Sequence, residues 1–298
     1  MGPHRMPAAE MHVSLGLVRR LLAAQHPDLA RLPVEVLANG WDNLMCRLGG
    51  ELAVRLPRRA VAAELMVHEQ RWLPVLAPRL PLPVPAPVRT GEPAAGYPWP
   101  WSIVPYLPGQ IAAVRPPADP RDAAASLAGF LGALHAPAAP GAPPNPYRGI
   151  PLAERSPAVA ENIAILGDLI DRGAVTRVWH AAVAAPLWDG PPVWLHGDLH
   201  PANILVDRGR ISGVIDFGDI TAGDPAADLS VAWMLLPADC HDGFLGVYRA
   251  ASGHGAGDGG WARARGWALA LSLAFLAHSA DNPLIAGIGR RTLGTVLA

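Results

Sequence analysis

The order of apolar and polar residues divides the chain into a strand-rich first third and a mainly helical remainder. Residues 14–25, SLGLVRRLLAAQ, carry apolar side chains at helical spacing behind a serine that can cap the first turn, which predicts an N-terminal helix. The period then changes. Val34 to Leu37, Leu44 to Leu48 and Leu52 to Leu56 are short apolar or alternating runs, punctuated by Asn39-Gly40 and Gly49-Gly50, the dipeptides of tight hairpins. A small antiparallel sheet is expected there. Val61 to Leu76 returns to a helical pattern, a proline-studded stretch at 81–88 follows, and Trp101 to Tyr106 reads as a further strand. Beyond Leu107-Pro108-Gly109 helices prevail, at Ala123 to His135 and Ala158 to Leu187, with a Pro/Gly-rich loop at 137–151 between them. Two short strands, Val193 to Leu195 and Gly213 to Ile215, flank a polar loop and a hairpin at Asp207 to Arg210. Helices are expected from Ala226 to the end, interrupted by a flexible HGAGDGG connection at 254–260. No internal repeat and no heptad run is visible.

Composition narrows the class without choosing a function. The 298 residues are 51% hydrophobic and 16% charged, the balance of a soluble globular protein with a sizeable core. The formal net charge is -1 and the arginines are scattered, so no basic field points to nucleic acid or to an anionic membrane; a small-molecule partner is expected. Cys46 and Cys240 lie far apart with no C-x-x-C spacing, which suits reduced thiols in a cytoplasmic setting. No basic-then-apolar leader opens the chain, and the most apolar stretch, Trp267 to Ala277, is well short of the roughly 20 residues of a membrane-spanning helix. All 24 basic residues are arginine; lysine does not occur. Arginine does not deprotonate, so Schiff-base and lysine-base mechanisms are excluded, and any cationic clamp must be a guanidinium.

Chemistry concentrates in residues 194–228, WLHGDLHPANILVDRGRISGVIDFGDITAGDPAAD. His196, Asp198 and Asn203 form H-x-D-x-x-x-x-N on the loop after one strand, and Asp216, followed by Phe217-Gly218, comes after a second strand about a hairpin later. Phosphoryl transfer needs this inventory: one carboxylate to orient the attacking hydroxyl and accept its proton, and an amide oxygen with a second carboxylate to hold Mg²⁺ against the phosphates.

Standing as His196-Gly197-Asp198-Leu199-His200-Pro201-Ala202-Asn203, this stretch resembles the H-G-D-x-H-x-x-N signature of the aminoglycoside phosphotransferase family, which replaces the H-R-D-x-K-x-x-N of protein kinases. The resemblance covers nearly the whole chain and is strongest at 194–228. It implies a bilobal, protein-kinase-like α+β fold, with a nucleotide lobe at 1–106 built on a small antiparallel sheet and a mainly helical catalytic and substrate lobe at 107–298. It further implies an ATP-dependent phosphotransferase, GTP being the alternative donor, that uses Mg²⁺ on a hydroxyl of a small molecule and exists as a monomer or homodimer. Asp198 would be the catalytic carboxylate, Asn203 and Asp216 the metal ligands, Asp228 a buried acceptor bracing the loop, and His196 structural. Family members act on aminoglycosides, macrolides, choline, sugars and other hydroxyl compounds, so antibiotic resistance and sugar or amino-alcohol phosphorylation are both open.

The strand Leu52 to Leu56 matches the position where kinases place a phosphate-binding lysine. Here Arg55 takes that role, a departure from the usual pattern. Its carboxylate partner is expected on the following helix, Glu69 being favoured over Glu64. Asn39-Gly40-Trp41-Asp42-Asn43 resembles the nucleotide loop, lacking a full G-x-G-x-x-G, with backbone N–H groups near Gly40 to Asn43 facing the phosphates. Trp101 to Gly109 resembles the segment joining the lobes, where the Pro105 carbonyl and the Leu107 N–H would meet the adenine. Two rival readings use the same residues. His196, Asp198 and His200 are all metal-ligand types, as in a metal-dependent hydrolase. The lysine-to-arginine departure and the thin glycine loop would suit a non-catalytic nucleotide-binding protein of kinase fold. Near the motif, Asp219, Asp224, Asp239 and Asp242 could face a polycation, and Trp233 and Trp267 could stack on a sugar.

Overall fold

The Ser14 hydroxyl accepts the Leu17 N–H at 3.2 Å and opens α1 (Leu15–Gln25), whose Leu17, Val18, Leu21 and Leu22 form one buried face. The computed structural model describes residues 9–298 apart from Trp41 and Asp258. The opening residues of the leader reading, Trp41 of the nucleotide loop and Asp258 of the 254–260 connection therefore lie outside the described residues.

The face of α1 packs on an antiparallel sheet. Strands β1 (Val34–Asn39), β2 (Asn43–Leu48), β3 (Leu52–Pro57), β4 (Arg89–Gly91) and β5 (Trp101–Pro105) take the spatial order β1-β2-β3-β5-β4. The hairpins expected at Asn39-Gly40 and Gly49-Gly50 are present, and β3 lies at the centre, its Arg55 opposite Met45 on one side and Ser102 on the other. Between β3 and β4 runs α2 (Ala60–Leu76), which buries Ala62, Met66, Leu73 and Leu76 on one stripe with Glu69 in its middle. A carboxylate at the centre of an apolar stripe is costly unless paired, so its partner defines a fixed point of the structure. A first core is built from α1 and the sheet. A second, larger one begins with Leu73 and Leu76 and continues through the helical remainder. Cys46 is buried in the first core, where burial pushes its thiol up to about 11; both cysteines are free.

After a two-residue strand β6 (Gln110–Ile111), Asp119 caps α3 (Pro120–Leu134) through the N–H groups of Arg121 and Asp122. The single helix expected over 158–187 is divided. It forms α4 (Ser156–Leu166) and α5 (Arg172–Val183), because Gly167, at φ 55°, stops the first and the Asp171 carboxylate caps the second at the Ala174 N–H. Strand β7 (Val193–Leu195) leads into the motif loop, β8 (Ile204–Asp207) and β9 (Arg210–Val214) follow it as a hairpin, and β10 (Thr221–Gly223) returns to pair with β7. Strand β9 begins at Arg210, not Gly213, and β4, β6, β8 and β10 are pieces of two to four residues that no alternation could announce. The C-terminal helical region is α6 (Ala226–Leu229), α7 (Val231–Leu235), α8 (His241–Ser252), α9 (Gly260–His278) and α10 (Pro283–Leu297). Helix α8 packs on α3, and α9, apolar nearly all round, is surrounded by α4, α5, α6 and α10. Among the described residues no helix is long and apolar enough to cross a membrane.

Candidate active site

The motif loop between β7 and β8 is shaped by groups other than the ones it presents. Asp228, buried on α6, accepts the N–H of His196 at 2.7 Å and of Gly197 at 3.0 Å, and meets His135 Nε2 at 3.2 Å. Burial acts against its charge, but these donors and the neighbouring imidazoles hold the carboxyl below its ordinary range. Gly197 sits at φ 85°, and a Cβ there would fall 2.2 Å from the Asp219 carbonyl oxygen, so only glycine lets the two loops approach this closely. His196 is fully buried. Its Nδ1 accepts the Asp198 N–H and its Nε2–H donates to the Ile215 carbonyl, which fixes the tautomer and leaves no ring nitrogen for a metal. That removes one ligand of the metal-hydrolase reading.

The chemistry-bearing side chains then converge. Asn203 donates from Nδ2 to the Asp198 carbonyl oxygen at 2.9 Å, and its own carbonyl receives the Ile215 N–H at 2.9 Å. The bound amide nitrogen turns Asn203 Oδ1 away, free of any protein donor among the described residues. Asp216 follows β9 at φ 66°, a left-handed conformation that aspartate tolerates and that re-aims the chain after the strand. Its carboxylate is about half exposed. His200 accepts the Ala202 N–H at Nδ1, so its Nε2–H faces Asp198 Oδ2 at 3.3 Å. Burial pushes the Asp198 carboxyl up, but His200, Arg148 and His196 outweigh it and hold it well below the usual carboxylate range.

Arg55 joins the sheet to this loop. Its Nη1 lies 2.5 Å from Glu69 Oε2 and its Nη2 3.0 Å from Asp216 Oδ1. With the Asn43 amide turned oxygen-inward, that oxygen accepts from Arg55 Nη2 at 3.1 Å and Nε at 3.3 Å. One guanidinium fork thus links β2, β3, α2 and the loop after β9. Burial pushes Glu69 up to about 7; Arg55 acts against the rise, and the charges of Asp216 and Asp219 add to it. Glu69 Oε1 is buried with no hydrogen-bond partner among the described residues. Glu64 is exposed and acts on His68 instead. Of the remaining sequence candidates, Gly40 donates its N–H to the Asn43 carbonyl at 2.9 Å, and its own carbonyl accepts from Arg58 Nη1 at 2.7 Å. Pro105 ends β5 opposite Leu52, and the Leu107 N–H beyond it has no partner among the described residues. Asp224 is bound by Arg263 at 2.6 Å, Asp239 lies exposed 4.0 Å from Arg121, Asp242 is exposed, Trp233 packs on Trp261, and Trp267 is fully buried, so these do not assemble into a site.

Sequence reasoning missed the loop at 137–151 as part of the site. Thr221 Oγ1 donates to the Pro143 carbonyl at 2.7 Å, Asn145 Nδ2 to Asp219 Oδ1 at 2.7 Å, and Arg148 Nη2 to Asp198 Oδ1 at 3.0 Å. The only sequence signal was a polar cluster, Asn145-Pro146-Tyr147-Arg148-Gly149, inside a proline-rich connection; loops on a rigid frame are where such residues carry function.

The donor set fits Mg²⁺. Asn203 Oδ1 and the Asp216 carboxylate are hard oxygens on adjacent turns, and Mg²⁺ characteristically takes one or two protein carboxylates and completes its shell from phosphates and water. Among the described residues no group of three or more His, Cys, Asp or Glu side chains is arranged to hold a metal by itself.

Comparison with known proteins agrees with this fold. A solved aminoglycoside 2′-phosphotransferase-IIIa mutant in complex with GDP superposes at a TM-score of 0.66 with 23% identity, covering 94% of this chain and 96% of that one. The macrolide 2′-phosphotransferase MphH from Brachybacterium faecium gives 0.60 and 25% over 91% and 96%. The streptomycin–ATP ternary complex of APH(2″)-IIa gives 0.56 and 18% over 91% and 92%. Among curated proteins, the uncharacterized protein YcbJ of Bacillus subtilis (strain 168) is 45% identical over 42 residues, 14% of each chain. The family model described as "Phosphotransferase enzyme family" matches residues 33–267, and the chain belongs to that family.

Proposed function

We propose that this protein transfers the γ-phosphoryl group of ATP, with GTP as the alternative donor, to a hydroxyl of a small molecule. The observation that carries this reading is the convergence of Asp198, Asn203 and Asp216 on one loop system, with Arg55 reaching from the sheet to Asp216 at 3.0 Å. Residues 1–106 are taken as the nucleotide lobe and 107–298 as the lobe that binds the acceptor. Pro105 and Leu107 offer main-chain groups to the base, and the turn from Gly40 to Asn43 covers the phosphates beside Arg55. Asn203 and Asp216 would hold Mg²⁺, which would supply positive charge against the phosphates during transfer. The acceptor oxygen attacks the γ-phosphorus as its bond to the β–γ bridging oxygen breaks. ADP leaves with the bridging electrons, and the hydroxyl proton passes to Asp198. With its oxygens already facing Arg148 and His200, Asp198 acts chiefly by orienting the hydroxyl and takes the proton late, which suits a loose transition state. The solved relatives named above act on aminoglycosides or a macrolide, which makes antibiotic modification one candidate role beside sugar or amino-alcohol phosphorylation. Two buried free cysteines are consistent with a reducing, cytoplasmic setting.

The test is release of ADP or GDP by the purified protein against a panel of aminoglycosides, macrolides, sugars, amino alcohols and hydroxy acids. Acceptor-dependent release that requires Mg²⁺ is expected. Release that no acceptor stimulates and that Mg²⁺ does not affect would overturn the reading.

A further inference from the structure

Arg148 stands at Asp198 and Arg155 lies near Arg148, and both have more donors than the described residues use. Arg148 spends Nη2 on Asp198 Oδ1, reaches the Tyr147 carbonyl with Nη1 only at 3.4 Å, and keeps a buried Nε with no partner. Arg155, on the turn just before α4, also has a buried Nε without a partner, and no carboxylate among the described residues pairs with it. Its guanidinium lies 5.7 Å from the centre of the Tyr147 ring. Burial and then the neighbouring Arg148 cation lower its proton affinity. The carboxylates nearby are already engaged: Asp198 by Arg148 and His200, Asp219 by Asn145.

The placement is rigid. Gly149, next to Arg148, sits at φ 68° and packs so closely on β7 and β10 that a Cβ would fall 2.7 Å from a Leu195 methyl and 3.2 Å from the Ala222 carbonyl oxygen, while its own carbonyl accepts the Asp224 N–H at 3.1 Å. A partly buried guanidinium with no acceptor, set beside a second cation, is an unfavourable arrangement that an anion relieves, and the planar fork suits a carboxylate or phosphate. The same two cations disfavour a polycationic acceptor.

We propose that Arg148 and Arg155 form an anion-binding subsite, so that the acceptor is a hydroxyl compound carrying a carboxylate or phosphate group. This rests on the phosphotransferase reading for the hydroxyl and on the arginine pair for the anion. Arg148 holds Asp198 with one edge and receives the anionic group with the other; Arg155 binds the anion alone.

The test uses acceptors that share a skeleton and differ in one group: glycerol, glycerate, glycerol phosphate and aminopropanediol, and likewise glucose, gluconate, glucose phosphate and glucosamine. Calorimetric binding without nucleotide is measured beside Mg·ATP-dependent transfer, for the wild type and Arg155→Gln. The anionic members are expected to bind and turn over roughly 10-fold or more better than their neutral counterparts. In Arg155→Gln that preference should collapse toward unity through KM and not kcat. The carboxylate and phosphate arms show which anion is taken. Neutral or cationic members used as well as the anionic ones, or a preference that Arg155→Gln leaves intact, would overturn the subsite while leaving phosphotransfer standing. Anion binding lost in Arg155→Gln with no transfer to any member would support the subsite and retire the phosphotransferase reading. No binding of any anionic member would also overturn it.

Discussion

At the residue scale, a chain without lysine has to build any phosphate clamp from a guanidinium, and Arg55 is the one proposed for it. Arg55 meets Glu69, Asp216 and Asn43 together, which a single ammonium could not do with the same planar fork. Arg55→Ala should raise the KM for ATP and lower kcat, Arg55→Lys should recover part of the loss, and Glu69→Gln should give a milder defect of the same kind. In a double-mutant cycle the combined loss should be smaller than the sum of the single losses by about 1–3 kcal/mol, whereas strict additivity would mean that the two residues do not act as a pair. Glu69 also sets a pH dependence. Burial raises its folded pKa from 4.5 to about 7, so between those values the folded state holds a proton that the unfolded state has released. The stability this proton contributes is fully present below pH 4.5 and is lost as pH rises through 7. On the proposed reading catalysis would run the other way, because protonated Glu69 would no longer aim Arg55. The KM for ATP should rise as pH falls below about 7, and this limb should vanish in Glu69→Gln. The pairing of Arg55 with a helix glutamate was legible from the resemblance to kinases, which place a phosphate-binding cation on this strand and its carboxylate partner on the following helix. The third contact, to Asp216, was not, because it spans 161 residues of sequence.

At the element scale, the motif loop is held from behind by α6. Asp228 satisfies two successive N–H groups of that loop and so fixes where Asp198 emerges. Replacing it by asparagine puts an amide with only one acceptor oxygen where the carboxylate had two, leaving a buried donor unsatisfied. Asp228→Asn should destabilise the fold by about 1–3 kcal/mol, and thermal melting near neutral pH measures this directly. Because the folded pKa is depressed, the contribution of Asp228 is present above its ordinary 3.8 and is lost as pH falls below it. The gap in Tm between wild type and variant should therefore narrow in acid; a gap that widens would contradict the role. Hairpins with Asn-Gly or Gly-Gly turns and long helices were readable because their patterns are local. The split between α4 and α5 was not, since it depends on one left-handed glycine and an aspartate cap within an otherwise helical stretch. The Arg148 loop was equally hidden: proline and glycine announced irregular backbone, and nothing local shows where irregular backbone will dock.

At the scale of the whole molecule, the two cores are joined through the site. The Arg55–Asp216 pair ties the sheet built on the first core to the loop after β9, so the nucleotide phosphates would lie between the parts that hold the base and the acceptor. Asp216→Ala should abolish Mg²⁺-dependent ATP binding, measured by isothermal titration, while circular dichroism shows the fold retained. Unchanged Mg·ATP affinity would mean that the metal is held elsewhere. The fold was legible because the motif between two strands resembles that of a family with this architecture; the identity of the acceptor was not, because it is decided by side chains from separate loops. The most direct measurement compares transfer of labelled γ-phosphate from ATP to an accepted hydroxyl compound by the wild type and by Asp198→Asn, with Mg·ATP affinity measured in parallel. If Asp198 orients the attacking hydroxyl, the variant binds nucleotide as well as the wild type and transfers phosphate roughly 10²- to 10⁴-fold more slowly; turnover near the wild-type rate would contradict the account.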